Sequence, residues 1–340
     1  MDDLKKPLMF LIDGSSMLTT AYYGTLPESV KQSKTEEEKQ THYKDIMMYK
    51  GKYTNAIYTM TKNILKIIKN CKPDYFAVAF DEKREATFRK KLYPEYKGTR
   101  KTSPEPLIQQ RNEMPRILAN IGLYTASSLE YEADDIVATL VSKYKENCHI
   151  IVLTKDHDYL QLISKDVEVW MMQTETSFDA IVRRHGEITT GYVFDRSYPF
   201  TEKDVFLEMG VRPHQIPDLK ALVGDTSDNI PGIKGIAEKS AIPLLQKYGT
   251  VEGIYQAIKT YGSSICEEWF DINTKSRKTV YGKFIADGAE EICLLSKRLA
   301  TMEIIKGYDT SIDDMKTKLD RDRFMQTLNE YGMNSIIKHI

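Results

Sequence analysis

The sequence predicts an α/β fold built on a mostly parallel sheet, followed by a helical region. Continuous apolar runs mark four buried strands: "LMFLID" from Leu8, "PDYFAVAFD" up to Asp81, "HIIVLT" before Lys155 and "VEVWMM" from Val167. Helical stretches separate these runs, such as "NAIYTMTKNILKIIKN" from Asn55, whose apolar residues recur at helical spacing. Strands that alternate with helices predict parallel pairing.

The elements follow one another in a regular order. The first strand, Leu8 to Ile12, ends in "DGSS", where a serine can cap a helix. The helix from Asn55 leads to the second strand, and a helix from about Leu107 to Ile121 follows a basic stretch. "SLEYEADDIVATLVSKYKEN" predicts a turn and a helix before the third and fourth strands. No structure is assigned to residues 174–199.

The pattern changes near residue 200. Beyond it, "TEKDVFLEMG", "PHQIPDLKALVGD", "IAEKSAIPLLQKYG" and "VEGIYQAIKTYG" indicate short helices punctuated by glycine, and no further strand is predicted. We therefore expect an α/β core over residues 1–200 and a helical region over residues 201–340.

Composition is typical of a globular protein. The 340 residues are 41% hydrophobic, enough for a sizeable core in one large domain or two ordinary ones. No apolar run reaches membrane-spanning length, and the polar opening "MDDLKKPLMFLID" does not resemble a secretory signal, so we expect a soluble cytoplasmic protein without a membrane partner. The four cysteines form no C-x-x-C pair, which argues against a zinc knuckle or a disulfide framework.

Basic residues are concentrated in one segment, although the net charge is only −1. "KREATFRKKLYPEYKGTRK", residues 83–101, carries eight lysines and arginines against two glutamates. With Pro94 and Pro104 as its bounds, this segment is predicted to form a mobile arch whose charge draws in a nucleic-acid strand. A solvated charged helix is the alternative.

Acidic residues stand at the carboxyl ends of three predicted strands. Asp13 ends the first, Asp81 ends the second, and Asp156 and Asp158 follow the third. Ligands of parallel sheets bind beyond that edge, so these side chains are expected to meet there. Any one of them taken alone could be an ordinary turn residue or helix cap.

A second acidic group precedes a helix in "YEADDI", which contains Glu132, Asp134 and Asp135. Two carboxylates about 4 Å apart repel by roughly 4 kcal/mol at an effective dielectric of 20. Divalent cations offset such repulsion, and ligand sets made of carboxylates suit Mg²⁺ or Mn²⁺. The acidic group therefore predicts a metal site.

A metal site of this kind suits phosphate-ester chemistry. Two ions about 4 Å apart would lower the pKa of an attacking water and stabilise the charges of an in-line displacement at phosphorus. No Ser-His-Asp set, G-x-S-x-G elbow or Walker A loop is found, so no protein nucleophile is predicted.

The segment "LVGDTSDNIPGIKGIAEKSA" combines acids with a glycine-rich turn. Asp225 and Asp228 add two carboxylates. The glycines that follow let the backbone pass close to a ligand, and a helix beginning near Glu238 offers free N–H groups to an anion. The turn is predicted to bind nucleic-acid phosphate without base specificity. The residues predicted to do so are Gly232, Lys234, Gly235 and Lys239.

Together these motifs resemble the 5′-nuclease domain of bacterial DNA polymerase I, its stand-alone 5′-3′ exonuclease relatives and the flap endonucleases. The similarity covers nearly the whole chain, through "FLIDGSS", "VAFDEKREATFRKKLYPEYKGTR", "YEADDIVATL", "LTKDHDYLQL", "LKALVGDTSDNIPGIKGIAEKSAIPLLQKYGTVEGI" and "LLSKRLATMEI". It implies a PIN-like nuclease core followed by a helix-three-turn-helix DNA-binding region near residues 216–250. It also implies cleavage of DNA phosphodiesters at 5′ ends, flaps and nicks with two Mg²⁺ ions, for which Mn²⁺ may substitute.

The resemblance further assigns roles by matched position. Six acids would surround a first ion, directly or through water: Asp13, Asp81, Glu132, Asp134, Asp135 and Asp156. Three would hold a second ion: Asp158, Asp225 and Asp228. The basic segment would contact the scissile phosphate through Lys97 and Arg100. Arg89 matches another arginine of the family pattern in this segment and is grouped with them as catalytic. Further DNA contacts would come from Lys83, Arg84 and Lys90.

Three positions depart from the family pattern. Many relatives carry an arginine where this chain has Thr20, which would remove one phosphate contact. Ala237 replaces a glycine in the hairpin, where a Cβ could weaken a bound K⁺ ion or the approach of a phosphate. Asn55 lies where related patterns have a glycine nearby. No metal-ligand position is lost, which favours an active enzyme in replication or repair.

Three alternatives stay open: a non-catalytic DNA-structure binder, a PIN-type ribonuclease and an N-terminal fragment of a DNA polymerase I. Retention of Asp156 and Asp228 counts against the binder, and the long helical region counts against the ribonuclease. We expect a monomer whose substrate is DNA with 5′ flaps or nicks, with the RNA primers of Okazaki fragments as a further substrate.

Overall fold

The computed structural model describes residues 6–82, 84–188, 191–269 and 274–339. Its strands are β1 (Leu8–Asp13), β2 (Met48–Tyr49), β3 (Lys52–Tyr53), β4 (Tyr75–Asp81), β5 (Tyr124–Ser128), β6 (His149–Thr154), β7 (Val167–Met172) and β8 (Ser197–Phe200). Its α-helices are α1 (Gly14–Gly24), α2 (Glu28–Gln32), α3 (Glu36–Thr41), α4 (Asn55–Cys71), α5 (Phe88–Leu92), α6 (Glu105–Asn120), α7 (Ala133–Tyr144), α8 (Glu175–His185), α9 (Glu202–Met209), α10 (Ile216–Val223), α11 (Glu238–Tyr248), α12 (Val251–Tyr261), α13 (Thr274–Phe284), α14 (Ala289–Ala300) and α15 (Arg321–Glu330).

The main sheet has six strands in the order β5-β4-β1-β6-β7-β8, which confirms the predicted α/β fold with a mostly parallel sheet. Neighbours from β5 to β7 pair in parallel, and β8 pairs antiparallel with β7. Because β1 lies between β4 and β6, the carboxyl ends of these three strands meet at one edge. That edge positions the acids identified above.

Two strands of the sheet were not predicted from the sequence. β5 reads "YTASS" and lies at one edge, so it lacks the continuous apolar run of a strand buried on both faces. β8 reads "SYPF" and lies at the other edge, where proline is tolerated within a sheet. The unassigned segment 174–199 contains α8 and most of β8.

Side chains of β1 alternate between two apolar cores. Met9 and Leu11 face a core that contains α7 and reaches into the helical region. Phe10 and Ile12 face a second core formed with α1, α4 and α6. Helices cover both faces, as a parallel sheet requires. Gly14 lets α1 begin directly against β4, because a Cβ there would lie 2.7 Å from the Phe80 and Val78 side chains.

The α/β part and the helical part on the two sides of residue 200 share one apolar core. The core around α7 continues through α10, α11 and α12. The end of the chain returns to the α/β part: Lys316 bridges to Tyr75, and Phe324 and Leu328 of α15 are buried in the core with Phe10. Residues beyond about 310 therefore complete the core of the first region.

Within the described part of the chain, no helix is both long and apolar enough to cross a membrane.

Candidate metal and phosphate site

A cavity of about 1120 Å³ opens at the carboxyl edge of the sheet. Its walls come from the ends of β1, β4 and β6, from the start of α7 and from the loop after α10. Most of the predicted metal ligands line it: Asp13, Asp81, Glu132, Asp134, Asp156, Asp158 and Asp225. The structure thus brings together carboxylates that are up to 212 positions apart in the sequence (from 13 to 225).

Backbone and hydroxyl donors orient the acids at the strand ends. Asp13 caps α1 by accepting from the Ser16 N–H at 2.9 Å, and its other oxygen accepts from the Thr154 hydroxyl at 2.9 Å. Asp81 accepts from the Ala133 N–H at 2.9 Å. These bonds join three neighbouring strands to the start of α7, so the carboxylates are held before any ligand arrives.

Several of these acids are buried without enough positive charge nearby to compensate their own negative charge. Burial, with repulsion from Asp81 and Asp156, raises the pKa of Asp13 from 3.8 to about 7. Burial and Asp156 likewise raise the pKa of Asp158 to about 6. Burial raises the pKa of Asp134 well above its ordinary value, although Arg89 opposes the shift. A cation in the cavity would reverse these shifts.

Lysine and arginine side chains neutralise the other side of the cavity. The Lys220 ammonium bridges Asp158 and Asp225 and lies 2.5 Å from the latter. Burial alone would raise the pKa of Asp225, but the Lys220 charge lowers it to about 2. Arg100 pairs with Asp228, which lies behind the cavity wall. Repulsion among the acids is therefore offset partly by the chain's own cations.

Part of the basic segment docks over the acids in this structure, while the mobility of the predicted arch stays a prediction. Tyr96 is buried, and its hydroxyl contacts Glu132 at 3.0 Å and Asp228 at 3.2 Å. The Lys97 ammonium contacts Glu132 at 2.8 Å, and the Lys97 N–H donates to the Asp228 carbonyl at 2.8 Å. Asn229 donates to the Glu95 carbonyl at 2.8 Å. Residues 95–100 thus dock on the loop that follows α10.

Asp135 does not line the cavity, so the structure does not support direct contact with a metal ion, and a contact through water stays a prediction. It is fully buried, and both of its oxygens accept from the Arg89 guanidinium at 2.7 Å. The same oxygens accept from the N–H groups of Glu132 at 3.0 Å and Glu303 at 2.7 Å. With its oxygens satisfied by these donors, Asp135 fixes the start of α7 instead.

The same geometry does not support the predicted catalytic role of Arg89. Its side chain is 1% exposed and also donates to the carbonyls of Leu299 at 2.9 Å and Thr301 at 2.8 Å. Arg89 therefore joins α5, α7 and the end of α14. A guanidinium enclosed in this way cannot reach a substrate without leaving a buried carboxylate unpaired.

The other predicted DNA contacts have a mixed outcome. Lys83 lies outside the described residues, and the structure does not describe the Arg84 side chain. Lys90 donates to the Tyr96 carbonyl at 3.1 Å. Lys234 and Lys239 are exposed beside the glycine-rich turn, where their contact with phosphate stays a prediction.

Gly232 and Gly235 of the turn have different structural roles. At Gly232 a Cβ would lie 2.2 Å from the Gly224 nitrogen, so this glycine is required by packing within the loop. Its N–H donates to the Ser296 hydroxyl at 3.0 Å. Gly235 has φ of +80° and its carbonyl accepts from the Lys283 ammonium. At this carbonyl the chain supplies a cation of its own, while K⁺ at the hairpin stays a prediction.

The three departures from the family pattern occupy distinct places. Thr20 lines the cavity. Ala237 precedes the first turn of α11 and gives it no side-chain cap. Asn55 is buried, where it donates to the Thr25 hydroxyl at 2.9 Å and accepts from Gln110 at 2.9 Å. Asn55 thus joins α1, α4 and α6.

Sequence reasoning missed several residues of the site. Thr154, Lys220 and Tyr96 hold carboxylates, and Arg111 lines the cavity from α6. Lys220 lies five positions before Asp225 in "LKALVGD", a spacing that could have suggested a local pair. Nothing in the local sequence indicates the contacts of Tyr96, because its partners lie 36 and 132 positions away.

The donor chemistry of the cavity fits a hard divalent ion, since its acids offer only oxygen ligands. Among the described residues, however, no group of three or more His, Cys, Asp and Glu side chains is gathered closely enough to hold a metal ion. Binding of Mg²⁺ would therefore require the acids to exchange their lysine and arginine partners for the ion and for substrate phosphate.

The raised pKa of Asp13 predicts a pH dependence of stability. Between its ordinary value of 3.8 and its folded value of about 7, the folded state binds more protons than the unfolded state. The free energy of unfolding should therefore fall as pH rises through this window, by roughly 3 kcal/mol from pH 5 to pH 8 at 1.36 kcal/mol per pKa unit. Urea unfolding in EDTA measures the fall, which Asp13→Asn should reduce.

The exposed Asp179 offers the matched control for that experiment. Asp179→Asn should keep the wild-type pH dependence. An Asp13→Asn variant with the same pH dependence as wild type would contradict the assignment of a raised pKa to Asp13.

Comparison with families of known proteins matches most of the chain. The model described as "5'-3' exonuclease, N-terminal resolvase-like domain" matches residues 8–186. The model described as "5'-3' exonuclease, C-terminal SAM fold" matches residues 211–322.

Curated relatives fall into two groups. A 5′-3′ exonuclease of Halalkalibacterium halodurans is 30% identical over 334 residues, which cover 97% of this chain and 95% of the relative. A DNA polymerase I of Caldicellulosiruptor bescii is 35% identical over 335 residues, which cover 98% of this chain and 33% of the relative. The chain spans nearly all of the first relative and about a third of the polymerase.

Solved structures share the fold. The T5 5′-exonuclease with bound zinc has a TM-score of 0.52 at 18% identity. The alignment covers 95% of this chain and 98% of the T5 chain. The catalytic core of Rad2 in complex with DNA substrate has a TM-score of 0.52 at 13% identity. The alignment covers 99% of this chain and 93% of the Rad2 chain.

Proposed function

Because this chain belongs to the family of 5′-3′ exonucleases and flap endonucleases, we propose that it hydrolyses DNA phosphodiesters at 5′ ends, flaps and nicks with divalent metal ions. The observation that carries the proposal is the cavity at the carboxyl edge of the sheet, where acids from the ends of β1, β4 and β6 meet those of α7 and the loop after α10. Acids in this arrangement suit metal-assisted attack on phosphorus.

The acids that line the cavity would hold the ions, and the chain fixes their positions. Mg²⁺ ions bound there would lower the pKa of the attacking water and stabilise charge on the attacking and leaving oxygens. Asp13 and Asp81 are oriented by donors from Thr154, Ser16 and Ala133. Because these bonds exist before substrate binds, the Asp13 and Asp81 carboxylates need little reorganisation at the moment of reaction.

Lys97 and Arg100 would change partners during the reaction. In the protein alone their charges are paired with Glu132 and Asp228. Both side chains line the cavity, so entry of metal ions and a phosphate lets them turn from carboxylate to phosphate oxygens.

Nucleic acid as the substrate is supported by solved relatives. Structures with this fold include a bacteriophage T5 flap endonuclease with DNA and metal ions and the Rad2 core with DNA substrate. The basic residues at this cavity offer contacts to backbone phosphate, which both DNA and an RNA primer carry. RNA primers joined to DNA are therefore included in the proposal.

A cleavage assay tests the proposed function. Nicked, gapped, 5′-flapped and blunt duplexes with 5′ labels are incubated with the protein in Mg²⁺ or EDTA. We expect cleavage of the flapped and nicked duplexes in Mg²⁺ and none in EDTA. Cleavage that persists in EDTA would exclude the metal mechanism, and cleavage of single-stranded RNA alone would favour a ribonuclease.

A non-catalytic DNA-structure binder is the second candidate, favoured by one observation. Lys97, Arg100 and Lys220 already pair with the acids, and the described residues contain no gathered set of three metal-binding side chains. Such a protein would bind flapped DNA in the cleavage assay and leave it intact at all Mg²⁺ concentrations.

A further inference from the structure

We propose that Arg111 is a further substrate-contacting residue, which binds a backbone phosphate where the DNA strand passes between two cavities. This inference rests on the proposed nuclease function. Arg111 belongs to α6, outside the basic segment and outside the acidic groups that suggested the site. Its position relative to both cavities carries the inference.

A second cavity of about 340 Å³ lies against the first. The residues common to both linings form the wall between them: Lys97, Arg100, Ser103, Arg111 and Glu132. A strand that passes from one cavity into the other therefore passes the Arg111 side chain. The volume of the second cavity is in the range of small-ligand pockets, which begins at about 300 Å³.

The charges around the second cavity favour an anion. Its basic lining residues are Lys90, Lys97, Arg100 and Arg111, and its acidic ones are Glu85 and Glu132. Asp228, which pairs with Lys97 and Arg100 from behind the wall, reduces the excess to one positive charge, and positive charge in a concave site attracts phosphate. Since the first cavity holds most of the acids and the second is basic, a strand that spans both would place its reacting phosphate at the acids and an adjacent phosphate beyond the wall.

Arg111 is suited to the contact at the wall. Its side chain is half-buried, and Nη2 donates to the Ser103 hydroxyl at 3.3 Å. A guanidinium has five N–H donors and stays charged at all relevant pH values, so it can keep this bond and still bind a phosphate oxygen.

Arg111 and Thr20 line the same cavity from neighbouring helices. Thr20 of α1 lines the first cavity, and the family resemblance predicts an arginine there. α6 packs against α1, and Arg111 lines the same cavity from α6. A guanidinium thus reaches this cavity from a neighbouring helix.

Binding of 5′-flap DNA tests the inference without relying on cleavage. Affinities of wild type and Arg111→Ala are measured in EDTA over a series of KCl concentrations. Arg111→Ala should bind roughly 10-fold more weakly, as expected when a hydrogen bond to a charged group is lost. The slope of log affinity against log salt should fall by about 0.7, the value for one phosphate of a single strand.

Arg116→Ala is the matched control, because Arg116 lies on the same helix, outside both cavities, in an exposed pair with Glu113. It should keep the wild-type affinity and slope. If Arg111→Ala does not fold, as judged by thermal unfolding, Arg111→Gln replaces it, since glutamine keeps a polar side chain near Ser103 without the charge.

A scan of neutral methylphosphonate linkages along the flap locates the contact. One position should weaken binding by wild type and leave binding by Arg111→Ala unchanged. The inference is overturned if Arg111→Ala keeps the wild-type salt slope, or if no linkage shows this coupling. A wild-type protein that does not bind flapped DNA overturns the proposed function as well, whereas flap cleavage with a normal Arg111→Ala slope overturns only the role of Arg111.

Discussion

Asp134→Asn is expected to slow cleavage of a 5′-flap substrate strongly and to leave the protein as stable as wild type or more so. Asp134 lines the cavity, and burial raises its pKa well above the ordinary value. Asparagine removes a charge that is costly in the free protein, yet it also removes a ligand that the metal site needs. Activity should fall by about 100-fold to 1000-fold, the size found when one group that stabilises transition-state charge is lost.

Single-turnover cleavage and urea unfolding of the same preparations separate the two effects. Asp179→Asn, at an exposed position of α8 outside the cavity, should change neither. Cleavage retained by Asp134→Asn would contradict the assignment, and so would a loss of activity explained by unfolding.

Arg89→Met is expected to destabilise the fold by about 3 to 5 kcal/mol, because it leaves the buried carboxylate of Asp135 without its partner. The double variant Arg89→Met/Asp135→Leu should be less destabilised than the sum of the two single variants, since no buried charge is then left unpaired. Full recovery is not expected, because Arg89 also donates to the carbonyls of Leu299 and Thr301.

Urea unfolding of the four proteins of this cycle measures the coupling. Lys91→Met is the control: Lys91 forms an exposed pair with Glu130, whose loss should cost less than about 1 kcal/mol. If Arg89→Met kept its stability and lost only affinity for DNA, Arg89 would contact the substrate, as the family resemblance implied.

The acids at the strand ends illustrate what the sequence reveals about this site. Asp13, Asp81 and Asp156 each follow a continuous apolar run, and parallel strands place such positions at one edge. Their meeting was therefore predictable without knowing which residues contact one another.

Asp134 and Asp135 show where sequence reasoning ends. Successive residues of a helix point about 100° apart, so only one of two adjacent acids faces the cavity. Which one does so depends on how α7 is rotated against its neighbours, and Arg89 decides this from 46 positions away. The local sequence does not predict that pairing. The family resemblance assigned both acids to the metal.

For the basic segment, too, the sequence predicts only part of the structure. Composition predicts its charge, but its anchoring depends on Tyr96 and Lys97 meeting Asp228, more than 130 positions later. The packing of α15 against the first core is also a long-range contact that the local sequence does not predict. Its apolar residues indicate a buried face, and only the folded chain shows against which core that face packs.

Counting the ions bound at the cavity tests the central claim most directly. Electron paramagnetic resonance measures free Mn²⁺ in the presence of protein and a flap whose scissile linkage is uncleavable. We expect about two ions per wild-type protein, as a two-metal site requires, and fewer in Asp134→Asn and Asp225→Asn. Equal numbers of bound ions in the wild type and both variants would contradict the claim that these carboxylates form a metal site.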